Sequence, residues 1–286
     1  AFSWISSSEV ITQCGATPVF VDVDSLTYTI DIQAVQRKIT SRAKAIVAVH
    51  LFGQSAQVGE LHNICKKNGL FLIEDCAQAH LTAEGEHYAG TFGDINAFSF
   101  YPTKNLGAYG DAGCLVTHDD QLAEKARRLA NHGALQKDDH LIEGLNSRMD
   151  TLQGAVLLAK LPHLKKWNER RYALAQQYTD SLKNIPQLVT PYQRRDTQHT
   201  FHLYVIRTRR RNALKEFLFQ NGIQTLIHYP QALPNLPAYQ HLQLKPSDFP
   251  VASALQDDVL SLPIYPELKD EEVTYICSKI RAFFKA

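Results

Sequence analysis

Residues 92 to 113 read FGDINAFSFYPTKNLGAYGDAG. Ile95 to Phe100 is an apolar run of the kind that forms a buried strand, and it ends in a polar turn that holds one lysine, Lys104. Pro102 stiffens that turn, while Gly107 and Gly110 loosen the backbone beyond it. Upstream, Phe71 to Ile73 is another buried run, and it leads into Glu74-Asp75-Cys76-Ala77-Gln78-Ala79-His80. Ligands of open α/β sheets bind beyond the carboxyl ends of the strands. Alone, Asp75 reads equally as the cap of the next turn, and Lys104 as a loop lysine. Together they set a carboxylate and an amine at one sheet edge.

The surrounding pattern supports such a sheet. Pro18 to Asp24 (PVFVDVD) and Ala43 to His50 (AKAIVAVH) read as strands, and so does Cys114 to Thr117. Val58 to Lys67 spaces its apolar residues as a helix does, with Asn68-Gly69 ending it. Apolar strands alternating with amphipathic helices predict an α/β fold with a mostly parallel sheet covered on both faces. From Met149 the texture changes. Leu152 to Leu164 and Trp167 to Leu182 read as helices, Phe201 to Thr208 as a strand, and Asn212 to Gln220 and Asp270 to Phe284 as helices. This half is α+β and smaller. A boundary near residues 155 to 165 divides the chain into a larger domain, 1–155, and a smaller one, 156–286.

Composition narrows the classes. The chain has 286 residues, 44% hydrophobic and 21% charged, with a net charge of +1, which leaves no basic or acidic mass for nucleic acid or an anionic membrane. Five cysteines without a Cys-x-x-Cys pair predict free thiols in a reducing cytoplasm. No apolar run is long enough to span a membrane. His199 and His202 fall on opposite faces of the expected 201–208 strand, and no HExxH or Cys/His cluster occurs, so no metal is expected. Gly-x-Ser-x-Gly, Walker and dinucleotide motifs are missing too. The only methionine is Met149 and the chain opens on Ala1-Phe2-Ser3-Trp4, so an N-terminal segment is expected to be missing.

A lysine and a carboxylate at one sheet edge are what pyridoxal 5′-phosphate (PLP) needs. The lysine bonds the aldehyde, and the carboxylate keeps the pyridine nitrogen protonated so that the ring accepts electrons. Ser99, five residues before the lysine, has a hydroxyl suited to the cofactor phosphate. Residues 92–113 closely resemble the lysine segment of the DegT/DnrJ/EryC1/StrS aminotransferases. EDCAQAH (74–80) is similar to that family's Asp-x-x-Gln/His segment and GLNSRMDTLQGAVLLAKL (144–161) to its Asn-x-Arg segment. FHLYVIRT (201–208), IHYP (227–230) and DDVLSLPIYPEL (257–268) resemble its C-terminal domain.

The resemblance implies an aspartate-aminotransferase-like fold (PLP fold type I) and a set of roles. Lys104 is the catalytic lysine, which carries the cofactor and then shuttles protons. Asp75 pairs with the pyridinium nitrogen, Trp4 stacks on the ring, Gln78 lies near its phenolic oxygen and Ser99 takes the phosphate. Asn146 reaches the phosphate in a neighbouring subunit, which implies a homodimer with shared sites. Arg148, His228 and Tyr229 bind substrate. The implied reaction is transfer of an amino group from glutamate to a nucleotide-linked keto sugar. The run Asn105 to Gly113 resembles the 3-amino-sugar subgroup, so a 3-keto sugar linked to dTDP or UDP is expected. A different reading is an inactive, truncated relative that serves as a PLP-binding or assembly protein. A sugar dehydratase of this family carries histidine in place of the lysine, which Lys104 opposes. Two departures stand out. The family's N-terminal phosphate-gripping turn precedes the SWISSS segment and is not in this chain, so weak cofactor retention is expected. Beyond IHYP, where a second histidine is usual, the chain reads Gln231-Ala232-Leu233-Pro234-Asn235.

Overall fold

The structure is a computed structural model and describes residues 1 to 285. The first half alternates as its apolar runs predict. Helix α1 spans Ser6–Gln13 and α2 spans Ile32–Lys38, capped by the Asp31 carboxylate on Ala34 N. Strand β1 is Ala45–Val49, α3 is Val58–Asn68 and β2 is Phe71–Asp75. Gly69, at φ +63°, ends α3 in the left-handed conformation and turns the chain into β2. A short hairpin, β3 (Ala83–Glu84) and β4 (His87–Tyr88), precedes β5 (Ile95–Ser99) and β6 (Gly113–Val116). Helix α4, Asp120–Ala130, starts where Asp119 accepts from Gln121 N and Leu122 N.

The second half begins with α5 (Thr151–Lys160), which a 3₁₀ turn at Leu161–His163 joins to α6 (Leu164–Leu182). Next come β7 (Thr197–Gln198), β8 (Tyr204–Arg207), α7 (Arg211–Gln220), α8 (Pro250–Asp258), β9 (Val259–Leu262) and α9 (Asp270–Lys285). No helix among the described residues is long and apolar enough to cross a membrane.

The main sheet has the order β1-β2-β5-β6. The first three strands run parallel and β6 is antiparallel, so the sheet is mostly parallel as expected. Its register sets Val49 beside Asp75 and Asp75 beside Ala97, which brings the carboxyl ends of β1, β2 and β5 to one edge. One core layer packs α2 and α3 on this sheet through Val35, Leu61, Ile46 and Leu72. Another packs α6, α7 and α9 on the β8–β9 pair through Leu174, Tyr178, Leu214 and Ile280. A further cluster joins Phe2, Phe20 and Val23 to Tyr229, Tyr239, Phe249 and Leu255, binding the start of the chain to the second half.

Two sequence expectations change. Pro18 to Asp24 forms no strand, only the isolated bridge Val23↔Ile30. Its Phe20 and Val23 serve the cluster that joins the two halves. Asp22, meanwhile, accepts from Val251 N and Ala252 N at 3.0 Å each, capping α8 from far away in sequence. The strand expected over Phe201 to Thr208 is shorter. Phe201 has φ +41°, which breaks extended backbone, and β8 starts at Tyr204. His199 and His202 therefore precede the strand, and an argument from opposite strand faces does not apply to them.

Beneath the ligand edge lies a buried carboxylate. Side chains alternate along β2, so Glu74 turns away from Asp75 and is wholly buried. Glu74 accepts from Gly90 N (2.8 Å), Phe92 N (2.8 Å) and Gly93 N (2.7 Å). It also accepts from His50 Nε2 at 2.9 Å. Ala56 N donates to His50 Nδ1 at 3.1 Å, so the imidazole proton sits on Nε2. A Cβ at Gly93 would collide with Asn96 Oδ1, which itself accepts from Glu74 N. Burial pushes the Glu74 carboxyl up, but the donors outweigh it and hold the group below its ordinary value.

Removing this carboxylate leaves several buried donors unmatched. Glu74→Ala is expected to cost about 3–5 kcal/mol in urea unfolding at neutral pH. Because the folded value is depressed, the carboxylate's contribution is full above the ordinary carboxylate range and fades as pH falls through the folded value. The stability gap between wild type and Glu74→Gln is therefore expected to narrow on acidification, measured by urea titrations across pH.

Candidate active site

Asp75 and Lys104 stand at the shared edge because β2 and β5 end there side by side. Asp75 is half-buried. Its Oδ2 accepts from Ser7 Oγ at 2.6 Å and its Oδ1 from Ala77 N at 3.1 Å. Those bonds fix the carboxylate and leave it lone pairs for one more donor. Ser7 lies in the first turn of α1, so the SWISSS segment delivers both the Asp75 partner and Trp4. Trp4 is 59% exposed, with its ring 5.8 Å from that of Tyr229 at 42°. A tethered but open indole of this kind can stack on a planar ligand.

Gln78 is buried behind them. Its Oε1 accepts from Phe52 N at 2.7 Å and its Nε2 donates to Tyr229 Oη at 2.9 Å. Tyr229 thus keeps its own proton to give, and burial first, with Asp75 adding, pushes its phenol up to about 12. His228, beside it, meets Ser261 Oγ through Nδ1 at 2.8 Å. Burial, then the Lys104 charge, lowers its basicity.

Lys104 is half-buried on a tight loop. Lys104 N donates to Tyr101 O at 2.8 Å and Ala108 N to Phe100 O at 2.7 Å. Gly107 is required here, because a Cβ would lie within 3.0 Å of Tyr101 O and closer still to Pro102 O. Burial lowers the Lys104 ammonium from its ordinary value, and Asp75 opposes that shift. Ser99, at the end of β5, accepts from Tyr101 N at 3.3 Å, so its hydroxyl proton is free for an anion.

His80 follows Asp75 and Gln78. Its ring lies 5.5 Å from Phe98 and 5.7 Å from Phe100, and neither ring nitrogen has a hydrogen-bond partner. Burial, with the Lys104 charge second, pulls it down to about 4, so it is neutral. A cavity of about 640 Å³ opens beside Lys104, walled by Lys160, Trp167, Arg171, His202, His228 and Tyr265 among others. Asp75, Gln78 and Trp4 do not line it.

The structure therefore brings together Gln78, Trp4 and Tyr229 through direct contacts, joins Asp75 to the Trp4 segment through Ser7, and sets Lys104 and His228 on one cavity. Asn146 and Arg148 stand apart on an exposed segment: Asn146 bridges to Asn131, and Arg148 Nη1 donates to Asn131 Oδ1 at 2.8 Å. Asn235, in the stretch that follows IHYP, is spent on structure and donates to Gln256 Oε1 at 3.1 Å. Sequence reading passed over Ser7, His50 and Glu74. Ser7 was in plain view in SWISSS, but only the fold sets it 2.6 Å from Asp75. Ligand atoms of His50, Glu74 and Cys76 lie within 4.8 Å of one another, as in a metal cluster. However, His50 uses both nitrogens and Glu74 both oxygens in hydrogen bonds to the protein.

The donor set suits a phosphorylated pyridine aldehyde. Asp75 can receive a ring N–H, the Lys104 amine can bond a carbonyl carbon, Ser99 can give a hydrogen bond to a phosphate, and the Trp4 face can cover the ring. The lowered Lys104 value gives a direct check. An amine-acylating reagent at limiting dose and mildly alkaline pH is expected to modify Lys104 ahead of exposed lysines such as Lys66, scored by peptide mass spectrometry. Labelling that simply follows exposure would contradict it.

The chain is similar to known proteins along nearly its whole length. A family model described as the DegT/DnrJ/EryC1/StrS aminotransferase family matches residues 1–281. A dTDP-3-amino-3,6-dideoxy-alpha-D-galactopyranose transaminase of Aneurinibacillus thermoaerophilus is 42% identical, covering 98% of this chain and 77% of its own. A UDP-N-acetyl-3-dehydro-alpha-D-glucosamine 3-aminotransferase of Acidithiobacillus ferrooxidans is 40% identical, with 98% and 75% covered. The crystal structure of S. venezuelae DesV in complex with a ketimine intermediate superposes with a TM-score of 0.97 at 39% identity, over 100% of this chain and 77% of that one.

Proposed function

Since the chain belongs to the DegT/DnrJ/EryC1/StrS aminotransferase family, we propose that it moves the amino group of glutamate to C3 of a keto sugar linked to dTDP or UDP. The observation that carries this reading is the half-buried Lys104 amine, its basicity lowered, at the same sheet edge as the anchored Asp75 carboxylate. Relatives named as 3-aminotransferases and 3-amino-sugar transaminases support the sugar and its carbon. In this reading, residues 1–155 hold the cofactor and 156–286 form the smaller domain.

PLP, when bound, supplies an electron sink for the carbanion formed at the amino-donor carbon. Asp75 holds the ring nitrogen protonated, fixed in place by Ser7 and Ala77 N. Trp4 covers the ring, Gln78 stands by its phenolic oxygen and Ser99 donates to the phosphate. Lys104 would hold the cofactor through its aldehyde. With its ammonium value lowered by burial, the Lys104 amine would also be available as a free base, to take the proton from Cα of the amino donor and to return one to C3 of the sugar. His228 and Tyr229 face the substrate as neutral hydrogen-bonding groups.

Borohydride reduction of the PLP-loaded protein followed by peptide mapping is the direct test of the lysine. The label is expected on Lys104, and Lys104→Ala is expected to lose all turnover. Label on another lysine in protein that transaminates refutes the assignment. Paired 3-keto and 4-keto sugar nucleotides, offered with glutamate and read by NMR, test the carbon. Turnover of only the 4-keto set refutes C3.

The reading includes a homodimer in which Asn146 serves the partner's cofactor phosphate and Arg148 an anionic group of the substrate. Its support is the surface around them. Leu145, Leu152 and Leu158 are each at least 70% exposed, and Met149 and Leu161 lie open on the same segment. So many open large apolar side chains within one stretch of chain are what an interaction face carries. Mixing Lys104→Ala with Asn146→Ala chains is expected to restore activity that neither has alone, since one site in each mixed dimer is then intact. The absence of rescue in confirmed mixed dimers counts against sharing.

A further inference from the structure

The residue next to the reactive amine is fully committed to hydrogen bonds. Asn105 is buried, and its Nδ2 donates to Asn168 Oδ1 (2.8 Å) and to Thr200 O (3.1 Å). Both partners are acceptors, so the amide orientation is fixed and Oδ1 faces His202 Nδ1 at 3.0 Å. An amide oxygen only accepts, and His202 therefore carries its proton on Nδ1. Its Nε2 is left as a bare acceptor on the wall of the cavity beside Lys104. Asn168 Nδ2 donates in turn to His80 O at 2.8 Å. This chain of amides ties the lysine loop to α6, to the segment entering β8 and to the turn that follows Asp75.

Each member is buried, and the bonds span 97, 63 and 88 residues of sequence. They hold together the parts of the site that different strands supply. Buried side-chain amides in such number are costly unless satisfied, and here two of these three bonds converge on the residue beside the lysine, while the third ties its partner Asn168 to the turn after Asp75.

We infer that Asn105 and His202 are positioning residues for Lys104: their hydrogen bond fixes the loop so that the amine stays in its dry place at the edge it shares with Asp75. The inference rests on the reading of Lys104 as the reactive amine. Neither residue is given a proton-transfer step. The titratable groups facing Lys104 are Asp75 from the end of β2, His80 from the turn after it, His202 and His228. Lys160, Arg171 and Glu267 share the cavity. Burial, then the charges of Lys104 and Arg171, keeps His202 well below its ordinary value, so it faces the lysine uncharged.

His202→Asn places an amide N–H near the position of Nδ1 and keeps the bond to Asn105. His202→Gln places it near Nε2 and loses that bond, and His202→Phe has no donor at all. The first readout needs neither cofactor nor substrate: reductive methylation of Lys104 in the cofactor-free chain across pH, scored by peptide mass. A loosened loop lets the ammonium reach water, so the midpoint is expected to rise toward that of an ordinary lysine in His202→Phe, His202→Gln and Asn105→Ala. It is expected to stay in place in His202→Asn. In the PLP-loaded enzyme, kcat of the first three is expected to fall about 10²-fold while KM for glutamate stays within about threefold, with His202→Asn near wild type.

Equal loss in His202→Asn and His202→Phe overturns the inference, as does an unmoved midpoint in variants that lose only thermal stability. If Asn105→Ala does not fold, the His202→Asn and His202→Gln pair still decides. A midpoint that shifts as expected in protein unable to transaminate leaves the positioning role standing and removes the functional reading instead.

Discussion

The buried Glu74 carboxylate is the constraint on which the ligand edge depends. One charge with no access to water must find all its donors inside the protein. It finds them in His50 and in the backbone of residues 90 to 93. This collects the end of β1, the middle of β2 and the approach to β5 around one point. Asp75, the next residue along, inherits a fixed position on the opposite face. On that opposite face the Asp75 carboxylate is held by two bonds of its own, from Ser7 Oγ and Ala77 N. Gly93 and Asn96 are part of the same arrangement, since the loop must pass close enough to aim its N–H groups inward.

Above that platform the electrostatics are sparse. Lys104 is ringed by His80, His202 and His228, and burial lowers the proton affinity of all four. In a poorly solvated site these bases compete, and a proton on one discourages protons on the others. Asp75 is the one carboxylate that acts on the Lys104 ammonium and favours its charge. The outcome is a soft amine beside a fixed anion, with neutral rings at the walls. That combination favours a planar cationic ring at the edge and keeps the lysine available as a base.

Much of the fold could be read from the chain itself. The apolar runs that become β1, β2 and β5 are short, buried and flanked by turn residues, and the lysine loop follows one of them directly. Helices α3, α7 and α9 announce themselves by spacing, and α3 by its closing Asn68-Gly69. The run PVFVDVD misled because burial alone does not distinguish a strand from a segment that packs its side chains into a core. Its Asp22 belongs to a helix that starts more than 200 residues later. The hydrogen bonds between Ser7 and Asp75, and between Asn105 and His202, join positions 68 and 97 residues apart and leave no periodic trace. Asp75 and Ser99 stood out as candidates because each ends a strand, and Lys104 because its loop follows one directly. Their supports lie elsewhere in the chain and became visible only in three dimensions.

Strand β6 closes one side of the main sheet, and among the described residues only its β5 side is hydrogen-bonded. Leu115 and Val116 are exposed on it, with Cys114 alongside. A strand of this character is a template on which another extended backbone can add. His118, Asp119 and Asp120 come immediately after it and act as gatekeepers, their polarity discouraging a neighbour from extending the pairing. Among the described residues, the strand next to the lysine loop is therefore where a further extended segment would pair. A charged side chain in place of Leu115 is the change that addresses such pairing with the least disturbance to the sheet.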